Sequence, residues 1–208
     1  MDLKRMKLVL MRHGSTLWNE QRRYLGHTDI PLSPKGVSEL DSARVKLQGW
    51  PIGRVYCSDL TRCRESLDAV RPDLSASAMY DSALREMDFG AWEGRTYDEL
   101  KDIPSYRQWL DNPRQVTPPM GESWSAFERR ITGVLHTVLP PADNELADDA
   151  SYSSSVLVVA HGGVIRHIVS LLMPGTAFWD VSVEPGSLLV LSLERRHGGW
   201  KGCELRIK

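Results

Sequence analysis

Residues 8–19 read Leu8-Val9-Leu10-Met11-Arg12-His13-Gly14-Ser15-Thr16-Leu17-Trp18-Asn19. The run Leu8–Met11 has the unbroken hydrophobicity of a strand covered on both faces, and it stops at a cation, an imidazole and a glycine. Glycine there permits a sharp turn and a close approach of backbone to ligand. Histidine is a competent nucleophile towards phosphorus, and a neighbouring arginine can hold a phosphoryl group through two parallel hydrogen bonds. Alone, Arg-His-Gly reads first as a solvated strand end. The same arrangement recurs at Val156-Leu157-Val158-Val159-Ala160-His161-Gly162-Gly163, where a second apolar run meets His-Gly. That repetition turns the reading towards chemistry.

The bulk composition narrows the partners. The chain has 208 residues, enough for one large domain spanning 1–208. Its 26 Lys plus Arg against 27 Asp plus Glu leave a formal charge of −1. No basic excess points to nucleic acid or an anionic membrane, so phosphate affinity must come from local clustering. Cys57, Cys63 and Cys203 are odd in number and lack metal-type spacing, as expected of a reduced, cytoplasmic chain. Cys57 and Cys63 are expected to face the core. The apolar stretch near the N-terminus ends at Arg12, too short for a signal peptide or a membrane span. There is no His-Glu-x-x-His, Cys-x-x-Cys, Asp-rich loop, Walker loop or Gly-x-Gly-x-x-Gly, so neither metal nor cofactor is expected.

Short apolar runs alternate with helical stretches, which predicts an α/β fold with a mostly parallel central sheet flanked by helices on both faces. Strands are expected at 7–12, 53–57, 77–80, 156–160 and 187–193, with 203–207 an antiparallel addition after Gly198-Gly199. Ser33-Pro34 reads as an N-cap with proline at the first helical position, opening a helix with Val37, Leu40, Arg44 and Leu47 on one face. Trp124, Phe127, Ile131, Val134, Leu135 and Val138 form an apolar stripe over 123–139, with Ser125 and Glu128 as a capping box. A further helix is expected over 162–172. Residues 94–121, with Tyr97, Tyr106 and Trp109, read as a helical insertion over one end of the sheet, and 140–155 as a polar, mobile surface loop.

Ligands of open α/β sheets bind beyond the carboxyl ends of the strands. Arg12-His13, Ser58–Arg62 and His161-Gly162 each lie just past an apolar run, so parallel strands would bring them together, with a helix N-terminus at Gly162 to favour an anion. A transferring phosphoryl group spreads charge over three oxygens, which Arg12, Arg62 and a protonated His161 can neutralise without a metal. His13 must instead stay neutral, and the turn at Gly14 is expected to present a backbone carbonyl to the other ring nitrogen and so fix the tautomer. The remaining histidines, His27, His136, His167 and His197, read as surface or supporting residues. Gly26 would let backbone approach substrate.

Four motifs in order resemble those of the histidine phosphatase superfamily, which includes cofactor-dependent phosphoglycerate mutase. They are Arg12-His13-Gly14 with Asn19, Ser58–Arg62, Leu84-Arg85-Glu86 with Phe89–Gly94, and His161-Gly162. The resemblance implies a phosphohistidine on His13, Glu86 as proton donor, and Asn19 as a further phosphate ligand. On the residues alone, Asp88 and Glu93 rival Glu86.

Three functions compete: a phosphatase acting on a small phosphate ester, a phosphoglycerate mutase, and an inactive binding module. Mutases of the family follow the acid with Arg-His-Tyr, whereas Met87-Asp88-Phe89-Gly90 stands here, which favours the phosphatase. The intact set Arg12, His13, Arg62, Glu86 and His161 disfavours the inactive module. Tyr24–Gly36 and Glu86–Trp92 most resemble the branch acting on α-ribazole 5′-phosphate, in assembly of the cobalamin lower ligand, although broad-specificity and fructose-2,6-bisphosphatase relatives share the motif. The aromatic insertion would then stack on the heterocyclic base. Ser15 stands where many of these phosphatases carry glutamate, and it leaves the substrate open.

Overall fold

The computed structural model describes residues 5–139, 155–196 and 199–208. In chain order these form β1 (Arg5–Arg12), α1 (Leu17–Glu20), α2 (Pro34–Glu39), α3 (Asp41–Leu47), β2 (Ile52–Ser58), α4 (Thr61–Val70), α5 (Pro72–Ser75) and β3 (Met79–Asp81). There follow α6 (Tyr97–Leu100), α7 (Pro104–Asp111), α8 (Trp124–Val138), β4 (Ser155–Ala160), α9 (Gly162–Leu172), β5 (Leu188–Arg196) and β6 (Gly199–Ile207). The six strands make one mixed sheet in the order β3-β2-β4-β1-β5-β6. β3, β2, β4 and β1 run parallel, β5 pairs antiparallel with β1, and β6 pairs antiparallel with β5 at the sheet edge.

Alternation along the strands divides the core. Leu8, Leu10, Val156, Val158 and Leu191 face α8 and α9, while Val9, Met11, Val55, Leu157 and Val159 face α3 and α4. Both faces are covered, which accounts for the continuous apolar runs. Cys57 and Cys63 lie in the second of these layers, as the sequence suggested.

The expected helices exist, with differences of detail. The helix opening at Ser33-Pro34 breaks at Leu40 into α2 and α3, and its buried face is Gly36, Leu40, Ala43 and Leu47. Val37 is 50% exposed, and Arg44 also faces solvent. The cause is tertiary: α2 packs backbone to backbone on the turn after β1. A Cβ on Gly14 would lie 2.2 Å from the Gly36 carbonyl oxygen, which turns the glycine face of α2 inward. Helix α8 buries the whole predicted stripe, but its cap is Ser123, whose side chain accepts from the Ala126 N–H, and no Ser125–Glu128 box forms.

The insertion is tied to the loop after β1, through a bridge between Arg23 and Thr96 and a hydrogen bond from Tyr24 N–H to the Arg95 carbonyl. Two of its three rings are packed into a small core of their own, while Tyr97 is exposed. Tyr106 and Trp109 are buried with Trp92 and Leu100, and the Tyr24 and Tyr106 hydroxyls meet at 2.6 Å. Aromatic residues in a segment remote from the sheet satisfied one another, so the expected base-stacking role fails for these two. Of the loop read over 140–155, Ser155 opens β4 and the rest lies outside the described residues, as do His197 and Gly198. No helix among the described residues is long and apolar enough to cross a membrane.

The α8 stripe makes a direct test. Ile131→Ala should cost about 2–5 kcal/mol in chemical denaturation, whereas Val37→Ala should change stability by no more than about 0.5 kcal/mol. A large loss at Val37 would restore the original helical face.

Candidate active site

Parallel pairing aligns the ends of β1, β2 and β4 at one edge. Arg12 pairs with Ala160 across β1 and β4, and the His13 N–H donates to the Ala160 carbonyl at 3.1 Å. His13 and His161, one residue beyond their strands, meet edge to face with ring centroids 5.0 Å apart. Both are buried.

His13 Nδ1 lies 2.7 Å from the Gly14 carbonyl oxygen, which can only accept, so Nδ1 carries the hydrogen and Nε2 keeps its lone pair. Burial, then the guanidiniums of Arg62 and Arg12, hold this imidazole well below its ordinary pKa. Gly14 therefore supplies the expected tautomer lock. Its lack of a side chain serves the contact with α2, and its φ is not positive.

Arg62 is fully buried at the first turn of α4. Its Nη2 donates to the Gly26 carbonyl at 2.6 Å, Nη1 to the Thr28 carbonyl at 2.9 Å, and Nε to His161 Nδ1 at 3.3 Å. One hydrogen remains on each terminal nitrogen. Gly26 thus acts through its carbonyl on Arg62, and packing against the Met87 backbone leaves no room for a side chain there.

These bonds also correct the expected charge of His161. An arginine N–H can only donate, so Nδ1 accepts and the ring is neutral, with Nε2 left to donate to Ser58 Oγ at 2.9 Å. Burial, Arg62 and His13 all push its pKa well down. Cys63 Sγ approaches the same Nε2 at 3.5 Å, and burial raises that thiol to about 12, which makes it inert as a nucleophile.

Arg12 donates from Nη1 to the Val183 carbonyl at 2.6 Å, while its buried Nε has no hydrogen-bond partner among the described residues. Glu86 Oε2 accepts from the Gly163 N–H at 2.8 Å, in the first turn of α9, and Oε1 accepts from the Met87 N–H at 3.0 Å. Gly162, the first residue of that helix, lies against the Arg12 guanidinium. Asn19 Oδ1 accepts from the Thr16 N–H and hydroxyl, both at 3.0 Å, so its amide nitrogen is the free end. Gly162 thereby offers an N–H donor beside the Arg12 guanidinium.

The rivals of Glu86 are bonded to the loops rather than to the first turn of α9. Glu93 accepts from the backbone of His27, Thr28 and Phe89 and from the Thr28 hydroxyl. Burial alone would raise its pKa, but the bonds from Thr28 and His27 outweigh it and hold the carboxylate low. Asp88 Oδ1 accepts from the Gly90 N–H, and Oδ2 lies 3.7 Å from His27 Nδ1. His167 is no surface residue, since it is buried against Trp124 and Phe127.

Two arginines and two neutral imidazoles, set beside a carboxylate at a helix N-terminus, are an arrangement chemically suited to an anion, with the His13 Nε2 lone pair free. The sequence pattern of the histidine phosphatase superfamily (branch 1) matches residues 8–205. The chain belongs to this family. Within it, the chain is 32% identical over 185 residues to the adenosylcobalamin/alpha-ribazole phosphatase of Salmonella typhimurium, with 87% of each chain covered. It is 31% identical over 170 residues to an Erwinia tasmaniensis protein named "Probable phosphoglycerate mutase GpmB", covering 81% of this chain and 75% of that one. Its fold matches the crystal structure of the alpha-ribazole phosphatase from Shigella flexneri with a TM-score of 0.79, at 26% identity over 97% of this chain and 95% of that one.

Several supports of this histidine phosphatase site escaped the sequence reading. Ser66 Oγ accepts from the Gly14 N–H at 3.1 Å and donates to the Arg62 carbonyl at 2.6 Å. Its signal was the spacing of four from Arg62 along a helix. Glu39 accepts from the Ser15 N–H at 2.8 Å and from its hydroxyl at 3.0 Å, bringing a carboxylate to Ser15 from α2. Nothing local in the sequence announced it.

The two depressed histidines set an acid limit on stability. Between the unfolded value of about 6.5 and the lower folded one, the unfolded chain binds more protons. The stabilisation is complete above about pH 6.5 and is lost as pH falls below it, at about 1.4 kcal/mol per pH unit for each histidine. Urea unfolding from about pH 8 down to about pH 5 should show this decline, and His161→Gln should make it shallower. A level profile across that range would contradict the assigned charge states.

Proposed function

We propose that the chain is a metal-independent phosphomonoesterase that passes the phosphoryl group of a small ester to His13 and then to water. The observation that carries this reading is the His13 Nδ1–Gly14 carbonyl hydrogen bond, which leaves Nε2 as a neutral nucleophile among guanidinium groups. Nε2 attacks phosphorus as the ester P–O bond breaks. Glu86 gives the departing oxygen its proton, and in the second step it takes one from the water that attacks the P–N bond. Inorganic phosphate leaves and His13 returns to its neutral form. Arg12 and Arg62 carry the charge that a metal would otherwise neutralise, and Asn19 and the Gly162 amide add donors.

The substrate class is a small phosphate ester, with α-ribazole 5′-phosphate the compound suggested by the names of similar proteins. The Asp88 carboxylate beside His27 argues against a substrate carrying its own carboxylate, and so against phosphoglycerate.

Rapid quenching with a labelled ester should trap an acid-labile phosphoenzyme that His13→Ala lacks, and turnover should survive chelation. The reading predicts net phosphate release, faster from α-ribazole 5′-phosphate than from 3-phosphoglycerate. Interconversion of phosphoglycerates with little phosphate release would establish a mutase instead. A folded protein silent on every ester would be a binding module.

A further inference from the structure

The segment that carries Glu86 has no strand beside it. β3 ends at Asp81, a single helical turn follows over Ser82–Leu84, and the chain then runs extended through Arg85. Its carbonyls are instead taken by one residue of α8. Arg130 Nη1 donates to the carbonyls of Ala83 at 2.9 Å and Arg85 at 2.6 Å, and Nη2 to that of Glu86 at 2.8 Å. The other edge of the guanidinium forks onto Glu122, with Nε to Oε1 and Nη2 to Oε2 both at 2.8 Å. All five donors are engaged. Both side chains are largely buried, at 18% and 13% exposure. Glu122 also fixes the far end of the segment, its own N–H donating to the Asp88 carbonyl at 2.9 Å.

We propose that the Arg130–Glu122 pair is the positioning device for proton transfer: it clamps the backbone on both sides of Glu86 and so sets the carboxyl against the leaving-group oxygen. The inference rests on the reading of Glu86 as the acid. A carboxyl at the end of a flexible side chain needs a fixed root, and a displacement of about 1 Å can cost about 10²-fold in rate. Only a planar fork can bridge a carboxylate and three carbonyls together, so lysine cannot replace Arg130. The pair touches no reacting atom and acts through Glu86.

The test measures phosphorylation of His13 by rapid quench, with glycerol 1-phosphate as the poor leaving group and p-nitrophenyl phosphate as the good one. Arg130→Lys, Arg130→Gln and Glu122→Gln should each slow the alkyl ester by about 10²-fold and leave the nitrophenyl ester nearly unchanged, since that leaving group scarcely needs a proton. Adding Arg130→Gln to Glu86→Gln should cost nothing further on the alkyl ester. Should Arg130→Gln fail to fold, the lysine and Glu122 variants carry the same comparison. Equal losses on both esters, alongside a leaving-group-dependent Glu86→Gln, would reduce the pair to a structural brace and overturn the proposal. A Glu86→Gln defect equal on both esters would overturn it differently, by removing the acid on which it rests.

Discussion

A guanidinium sealed in the interior with no carboxylate in ion-pair contact is the constraint around which the site is arranged. Burying an unpaired ion costs several kcal/mol unless its hydrogens are engaged. Arg62 meets this with two carbonyls and an imidazole nitrogen, all neutral, so its hydrogen bonds are made while its charge stays uncancelled by direct contact. Arg12 is held in the same manner by a single carbonyl. The outcome is two guanidiniums without direct countercharge acting on His13, in a chain whose net charge is −1.

Everything near Arg62 serves to hold its acceptors still. Glu93 fixes the amides of His27 and Thr28, whose loop presents the two carbonyls. Asp29 takes the Thr61 N–H and hydroxyl at the head of α4, so the helix bearing Arg62 is tied to that same loop. On the other side, the glycine contact between Gly14 and α2 sets the height of the His13 turn. These are interactions of backbone groups with one half-buried carboxylate, Glu93, and one exposed carboxylate, Asp29.

How much was legible in the sequence follows from this division. Strands covered on both faces announce themselves by composition, and β1, β2 and β4 fell within one or two residues of their expected ends. The motifs at strand ends were equally plain, because topology brings such positions together whatever the loops do. Local patterns misled where a distant contact decided the outcome. Val37 fits a helical stripe but is displaced by the Gly14–Gly36 contact, and Tyr106 and Trp109 read as ligand platforms but satisfy one another. The charge of His161 was misjudged for a related reason. Counting cations near a phosphate site predicts a third, whereas the orientation of Arg62 Nε assigns the lone pair. Glu39 and Arg130 act on residues far away in sequence, and no single-sequence signal carries such pairings.

The place of β1 in the sheet has a temporal consequence. Of the six strands, the one that leads into His13 is the first to be made, yet its neighbours are β4 at Ser155–Ala160 and β5 at Leu188–Arg196. At roughly 5–20 residues per second, a ribosome needs on the order of 10–40 s to reach β5 after making β1. For most of that interval β4 has not been made either, so the strand has no sheet neighbour to pair with and His161 does not yet exist. Catalytic competence is therefore a property of the finished chain alone. The nascent protein carries a hydrophobic strand edge that must be shielded until its partners arrive.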